Sequence, residues 1–168
     1  MQNNSVPYYK QEIEYSCGHT SCRMVLAYFG INNTEQELVN VLQTTLHKGT
    51  NPQNIKKLFD QQGCNTFLSS DIIERADVIT NISSLLSDGY LIIALVNRLA
   101  YDVTTPLVDT EVEWENPNES LHYIVISKAS KNSVTINDPH VAVGVCQLKH
   151  EPFLRSWMNL FIAIKPEN

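Results

Sequence analysis

Cys17-Gly18-His19-Thr20-Ser21-Cys22-Arg23-Met24-Val25-Leu26-Ala27-Tyr28-Phe29-Gly30 places Cys22, Val25, Leu26 and Phe29 at i, i+3, i+4 and i+7. That spacing makes one apolar stripe of a helix. Gly30 suits the left-handed residue that commonly ends a helix. Such a stripe needs a sheet or another helix to lie against, so this is expected to be the central helix. Ser5–Ser16 has no helical period and reads as extended or irregular chain. Cys17 therefore stands at a helix start, where unpaired amides and the positive end of the dipole favour thiolate over thiol. Gly18 is expected to leave the approach to the sulfur uncrowded.

Downstream, Thr34-Glu35-Gln36-Glu37 has the capping-box pattern, opening a second helix to about Gln43. Asn51-Pro52 supplies an N-cap and a proline at the first helical position. Ile55, Leu58 and Phe59 give that third helix its apolar face, and Gly63 closes it. A short strand is expected near Thr66–Leu68, and a helix over Ile82–Ser87, capped by Asn81 and stopped by Gly89. After Gly89 the texture changes. Tyr90–Val96 is a continuous apolar run, as in a buried strand, and His122–Ser127 and Val134–Ile136 are rich in Ile and Val. Val141–Gln147 reads as strand or loop, Leu148–Ser156 as a short helix and Leu160–Ile164 as a last strand. Helices lead and strands follow, which predicts an α+β fold with N-terminal helices packed on an antiparallel sheet.

The chain has 168 residues, 43% of them apolar and 18% charged. This is one ordinary domain, 1–168, long enough to bury a core. The net charge of −6 and the lack of a Lys/Arg cluster speak against nucleic acid or anionic lipid as a partner. No basic region followed by an apolar run opens the chain, and no apolar run is long enough to span a bilayer. The expectation is a cytoplasmic protein without membrane insertion, or one exported without such a signal. Cys17, Cys22, Cys64 and Cys146 match no zinc spacing. Neither a metal nor another cofactor is expected, with His47, His140 and His150 available but not converging by spacing.

Residues 97–120 read as a long acidic loop insertion, carrying Asp102, Asp109, Glu111, Glu113, Glu115 and Glu119. Loops of that length are usually functional or disordered. The two readings are an ordinary solvated loop and a substrate-facing flap.

Four residues carry the candidate chemistry. Cys17 is the candidate nucleophile, which a nearby imidazole would activate. His122 opens an Ile/Val strand and is the candidate base. Asp138 ends the next strand, in Asn137-Asp138-Pro139, where it can fix the imidazole tautomer. Gln11, six residues before Cys17, is a candidate oxyanion donor. Taken singly, each has a plainer reading: a cysteine buried at a helix start, a surface or core histidine, an Asx-turn before proline, a surface glutamine. Their order is what points to a thiol protease.

Gln11…Ser16-Cys17-Gly18-His19-Thr20-Ser21…Met24-Val25-Leu26…Tyr28-Phe29-Gly30 resembles the active-site signature of the C39 and C39-like cysteine peptidases. Leu121-His122-Tyr123-Ile124-Val125-Ile126 resembles that family's histidine strand, and Val134-Thr135-Ile136-Asn137-Asp138-Pro139 its aspartate strand. The resemblance implies a papain-like fold, a peptide or protein substrate and a Cys-His-Asp triad of Cys17, His122 and Asp138 with Gln11 at the oxyanion. It implies thioester chemistry, which acyl transfer or glutamine deamidation would share. A third reading is a non-catalytic peptide-binding module. An inhibitor or immunity protein is an open possibility as a partner. His19 stands where the family usually has proline, and reads as a surface histidine of the early helix. Transporter-linked members cut leaders after a double glycine, whereas no transporter is expected on this chain.

Overall fold

The apolar stripe of the opening helix lies against a six-stranded sheet. The computed structural model describes residues 5–46, 48–69, 74–100, 121–140 and 142–167. Elements run α1 (Cys17–Tyr28), α2 (Glu35–Leu42), α3 (Pro52–Gln61), β1 (Cys64–Leu68), α4 (Val78–Ser87), β2 (Leu91–Asn97), β3 (Leu121–Ala129), β4 (Ser133–Asp138), β5 (Gly144–Lys149), α5 (His150–Ser156) and β6 (Trp157–Pro166). Arg98–Ala100 forms a 3-10 turn after β2. The segment 97–120 read as a loop begins as Asn97 of β2 and this 3-10 turn; its remainder, residues 101 to 120, lies outside the described residues, as does His47.

The sheet order is β1-β6-β2-β3-β4-β5, and every pairing is antiparallel. One face packs with Cys22, Val25 and Leu26 of α1, Leu38 and Leu42 of α2, and Ile55, Leu58 and Phe59 of α3. The other packs with Val78 and Ile82 of α4 and Phe153 of α5. Successive strand side chains point to opposite faces, so Ile93, Tyr123 and Val125 enter the first core and Ile92, Ile124 and Ile126 the second. Burial on both faces is why β2 and β3 read as unbroken apolar runs. Each fully buried Ile there contributes roughly 1.5–3 kcal/mol.

The local signals act where they were read. Thr34 accepts from Glu37 N–H at 3.3 Å, and the Glu37 carboxylate accepts from Thr34 N–H at 2.8 Å. Asn51 Oδ1 accepts from Gln53 N–H at 2.8 Å. Other boundaries differ. Helix α4 begins at Val78, not Ile82, and Asn81 lies inside it. Val78 and Ile82 stand one turn apart and both are fully buried against the sheet, so packing outweighs the cap signal. Strand β1 begins at Cys64, β5 takes in Leu148 and Lys149, and β6 begins at Trp157. Helix α5 is correspondingly shorter.

Candidate active site

Helix α1 begins at Cys17 because Ser16 closes the preceding turn. Ser16 is fully buried; its hydroxyl donates to the Ile13 carbonyl at 2.8 Å, and its own carbonyl accepts from Thr20 N–H at 2.9 Å. The helix is tied to β3 by Ser21, whose hydroxyl donates to the Tyr123 carbonyl at 3.3 Å. That places the first turn of α1 beside the start of β3, where His122 stands.

Strands β3 and β4 pair with Val125 opposite Asn137. His122 and Asp138 then share a sheet face, diagonal to one another at the strand ends. His122 Nε2 lies 2.6 Å from Asp138 Oδ1, and both side chains are buried. The same carboxylate oxygen accepts from His140 N–H at 2.7 Å. With Nε2 committed to Asp138, Nδ1 is the ring nitrogen left for a thiol.

The titration behaviour of the three groups is linked. Burial pushes the Cys17 thiol up, but the hydrogen bond and charge of His122, with backbone N–H groups of Tyr123 and Gly18, outweigh it and hold the thiol below its usual value. Burial pulls His122 down; the hydrogen bond to Asp138, then the bond and charge of Cys17, overcome it and push the imidazole up to about 9. Both directions favour a thiolate beside an imidazolium, the reactive form of such a pair. All four cysteines among the described residues are free thiols, and Cys17 is half-buried.

Gln11 reaches the same end of the molecule. Its backbone N–H donates to the Pro139 carbonyl at 2.8 Å, next to Asp138. Its side-chain amide is turned inward on its own loop, donating to the Ile13 and Glu14 carbonyls at 3.2 and 3.0 Å. In this arrangement both amide hydrogens are engaged within the loop.

Two neighbours of Cys17 are packed tightly, one of them against expectation. The missing Cβ of Gly18 admits Thr50. A Cβ built on Gly18 would lie 2.5 Å from the Thr50 Cβ. Thr50 is held by Thr44, with their hydroxyls 2.8 Å apart, and its carbonyl accepts from the Tyr123 hydroxyl at 3.0 Å. His19 is not at the surface but fully buried, with neither ring nitrogen hydrogen-bonded. Burial alone pulls it down to about 4, so it is neutral at pH 7 and no second cation beside the sulfur. Sequence reasoning missed the contact of Thr50 with Tyr123, since Thr50 has no motif and the two meet only by folding. It also missed Tyr8, whose burial and proximity to Asp138 push its phenol up.

The family described as Peptidase_C39 like matches residues 3–160. The chain belongs to this family. Among solved structures, the peptidase domain of Streptococcus ComA, a bifunctional ABC transporter of a quorum-sensing pathway, superposes with a TM-score of 0.67 at 18% identity, covering 97% of this chain and 100% of that one. A double glycine motif protease from an AMS/PCAT transporter, solved with its leader peptide, gives a TM-score of 0.70 at 19% identity, covering 97% of this chain and 93% of that one. These likenesses show the papain-like fold of C39 peptidase domains. Among curated proteins, the lactococcin-A transport/processing ATP-binding protein of Lactococcus lactis subsp. lactis is 26% identical over 161 residues, which is 95% of this chain and 19% of that protein. The C39-like chain thus spans about a fifth of the curated relatives it matches. No helix among the described residues is long and apolar enough to cross a membrane. Among them, no group of three or more His, Cys, Asp or Glu is placed to hold a metal ion.

Proposed function

We propose that this C39-like chain is a cysteine peptidase that cleaves peptide bonds through Cys17, His122 and Asp138. The observation that carries the reading is the buried 2.6 Å contact of His122 Nε2 with Asp138, on an imidazole whose influence lowers the Cys17 thiol. The Cys17 thiolate attacks the scissile carbonyl carbon, and the C–O π pair moves onto oxygen. Collapse of the tetrahedral species breaks the C–N bond, and His122 protonates the departing amine. The thioester left on Cys17 is then attacked by water, whose proton passes to neutral His122. Collapse returns the thiolate and releases the acid. Asp138 holds the ring tautomer and stabilises the imidazolium throughout. Gln11 serves the oxyanion by turning its amide away from Ile13 and Glu14 when substrate occupies the cleft, a donor worth roughly 10²–10³ in rate in known cases.

The test is a pooled peptide library, including peptides with an internal double glycine, followed by mass spectrometry with the intact protein and Cys17→Ala in parallel. Cuts present with the intact protein and lost in the variant are expected. A gain of about one dalton on glutamine without chain cleavage would replace peptidase by deamidase. Identical product spectra from the two proteins would sink the catalytic reading.

A further inference from the structure

Ser21 stands one turn after Cys17 on α1, so the two residues share a face of the helix. It is fully buried. A serine or threonine inside a helix commonly turns its hydroxyl back to the carbonyl four residues earlier. Thr20, beside it, does so and donates to the Ser16 carbonyl at 2.9 Å. Ser21 instead donates at 3.3 Å to the carbonyl of Tyr123, 102 residues away in the chain.

The acceptor lies where a sheet ladder stops. Strands β3 and β4 pair from Val125 opposite Asn137. Continuing that register would set Tyr123 opposite Pro139, which has no N–H to offer. The Pro139 carbonyl is taken by the Gln11 N–H at 2.8 Å. Ser21 thus supplies a donor to β3 past the point where β4 ceases to pair. At its other end, the Tyr123 hydroxyl donates to the Thr50 carbonyl at 3.0 Å, and Thr50 packs against Gly18. The residue bonded to His122 is therefore tied to the helix that carries Cys17, directly through its main chain and by way of Thr50 through its side chain.

We infer that Ser21 is a positioning residue of the proposed peptidase: its bond to the Tyr123 carbonyl sets how closely the Cys17 sulfur approaches the His122 ring. This role rests on the Cys17–His122 pairing proposed above. Cys17 is one helical turn from the donor, and His122 adjoins the acceptor in the chain. A misplacement of about 1 Å between catalytic groups is costly. Among the groups that sense the Cys17 charge, Tyr123 on β3 and Cys22 on α1 are pushed up, by burial and then by that charge, and stay neutral near pH 7. His19 in the same turn is neutral there as well. His122 carries the opposite charge, and Asp138 on β4 acts on the thiol through it. The pH profile of the thiol therefore reports its coupling to His122.

The experiment follows iodoacetamide alkylation of Cys17 against pH, read at that residue by peptide mass spectrometry, in the full chain, Ser21→Ala and Thr20→Val. Alanine is a better helix former than serine, so α1 is kept, and thermal melts show that each variant is folded. In Ser21→Ala the Cys17 rate at pH 6, relative to its plateau at high pH, should fall about three- to ten-fold, the weakening that one lost buried hydrogen bond allows. Thr20→Val removes a buried hydroxyl whose bond is to Ser16 and not to β3, and should leave the profile in place. An unmoved profile in folded Ser21→Ala overturns the positioning role. An equal shift in Thr20→Val overturns it too, by making the effect one of general packing. Both of these outcomes leave the peptidase reading intact. A parent Cys17 with the profile of an ordinary thiol would instead remove the Cys17–His122 pair, and the role of Ser21 with it.

Discussion

His19 makes the stability of this fold depend on acidity in a calculable way. Its imidazole is fully buried with both nitrogens unpaired, and desolvation lowers its pKa from 6.5 to about 4. Above pH 6.5 the ring is neutral in folded and unfolded chains alike, and stability is undiminished. As pH falls below that value the unfolded chain takes up a proton that the folded chain refuses. Stability then declines by about 1.4 kcal/mol per pH unit. The decline ends near pH 4, where the folded state also protonates, after a loss of roughly 3 kcal/mol. His122 acts in the opposite sense. Its pKa is raised to about 9, so its contribution is fully present below 6.5 and lost only as pH rises toward 9. It therefore adds no slope in the acid window. His19→Leu removes the titrating group and two unpaired buried nitrogens, each costing about 1–3 kcal/mol. Urea unfolding of both proteins, at pH 7, 6, 5 and 4, gives the difference directly. The Leu variant should be at least as stable at pH 7 and gain roughly 3 kcal/mol on the parent by pH 4. Parallel curves would refute the reasoning, because they would mean that His19 takes its proton in the folded state.

The remaining predictions concern the site and its supports. Gly18→Ala should lose about 1–3 kcal/mol of stability by overpacking, since its Cβ would meet Thr50, which Thr44 and the Tyr123 hydroxyl hold in place. Adding Thr50→Gly should recover part of that loss in thermal melts, and failure to recover any would count against the steric account. Asp138→Asn keeps an acceptor for His122 but removes the charge. The pH profile of Cys17 alkylation by iodoacetamide should then shift upward, because the imidazolium that holds the thiol down is weakened; an unchanged profile would uncouple Asp138 from the thiol. Thr34→Ala removes the capping-box hydroxyl and should cost about 1 kcal/mol in chemical denaturation, with a loss near zero showing that tertiary contacts alone hold α2.

Features governed by near neighbours were legible from the chain itself. The stripe of α1, the Thr34–Glu37 box, the Asn51 cap and the Ile/Val strands each arise from residues a few positions apart, so periodicity and cap chemistry report them. So did the choice of Cys17, His122, Asp138 and Gln11 as candidates, which rested on their order and setting. What lay beyond reach required distant segments to meet. Strand β6 inserts between β1 and β2, a pairing across most of the chain that no local pattern encodes. The burial of His19, the fit of Thr50 into the space left by Gly18 and the engagement of the Gln11 amide by its own loop likewise appear only in three dimensions. Sequence by itself determined which residues carry hydrogen-bonding, titrating and apolar groups, and at what spacing. Tertiary structure decided which of those groups lose water and which partner each one meets, because desolvation and contact depend on the packed surroundings and not on position along the chain.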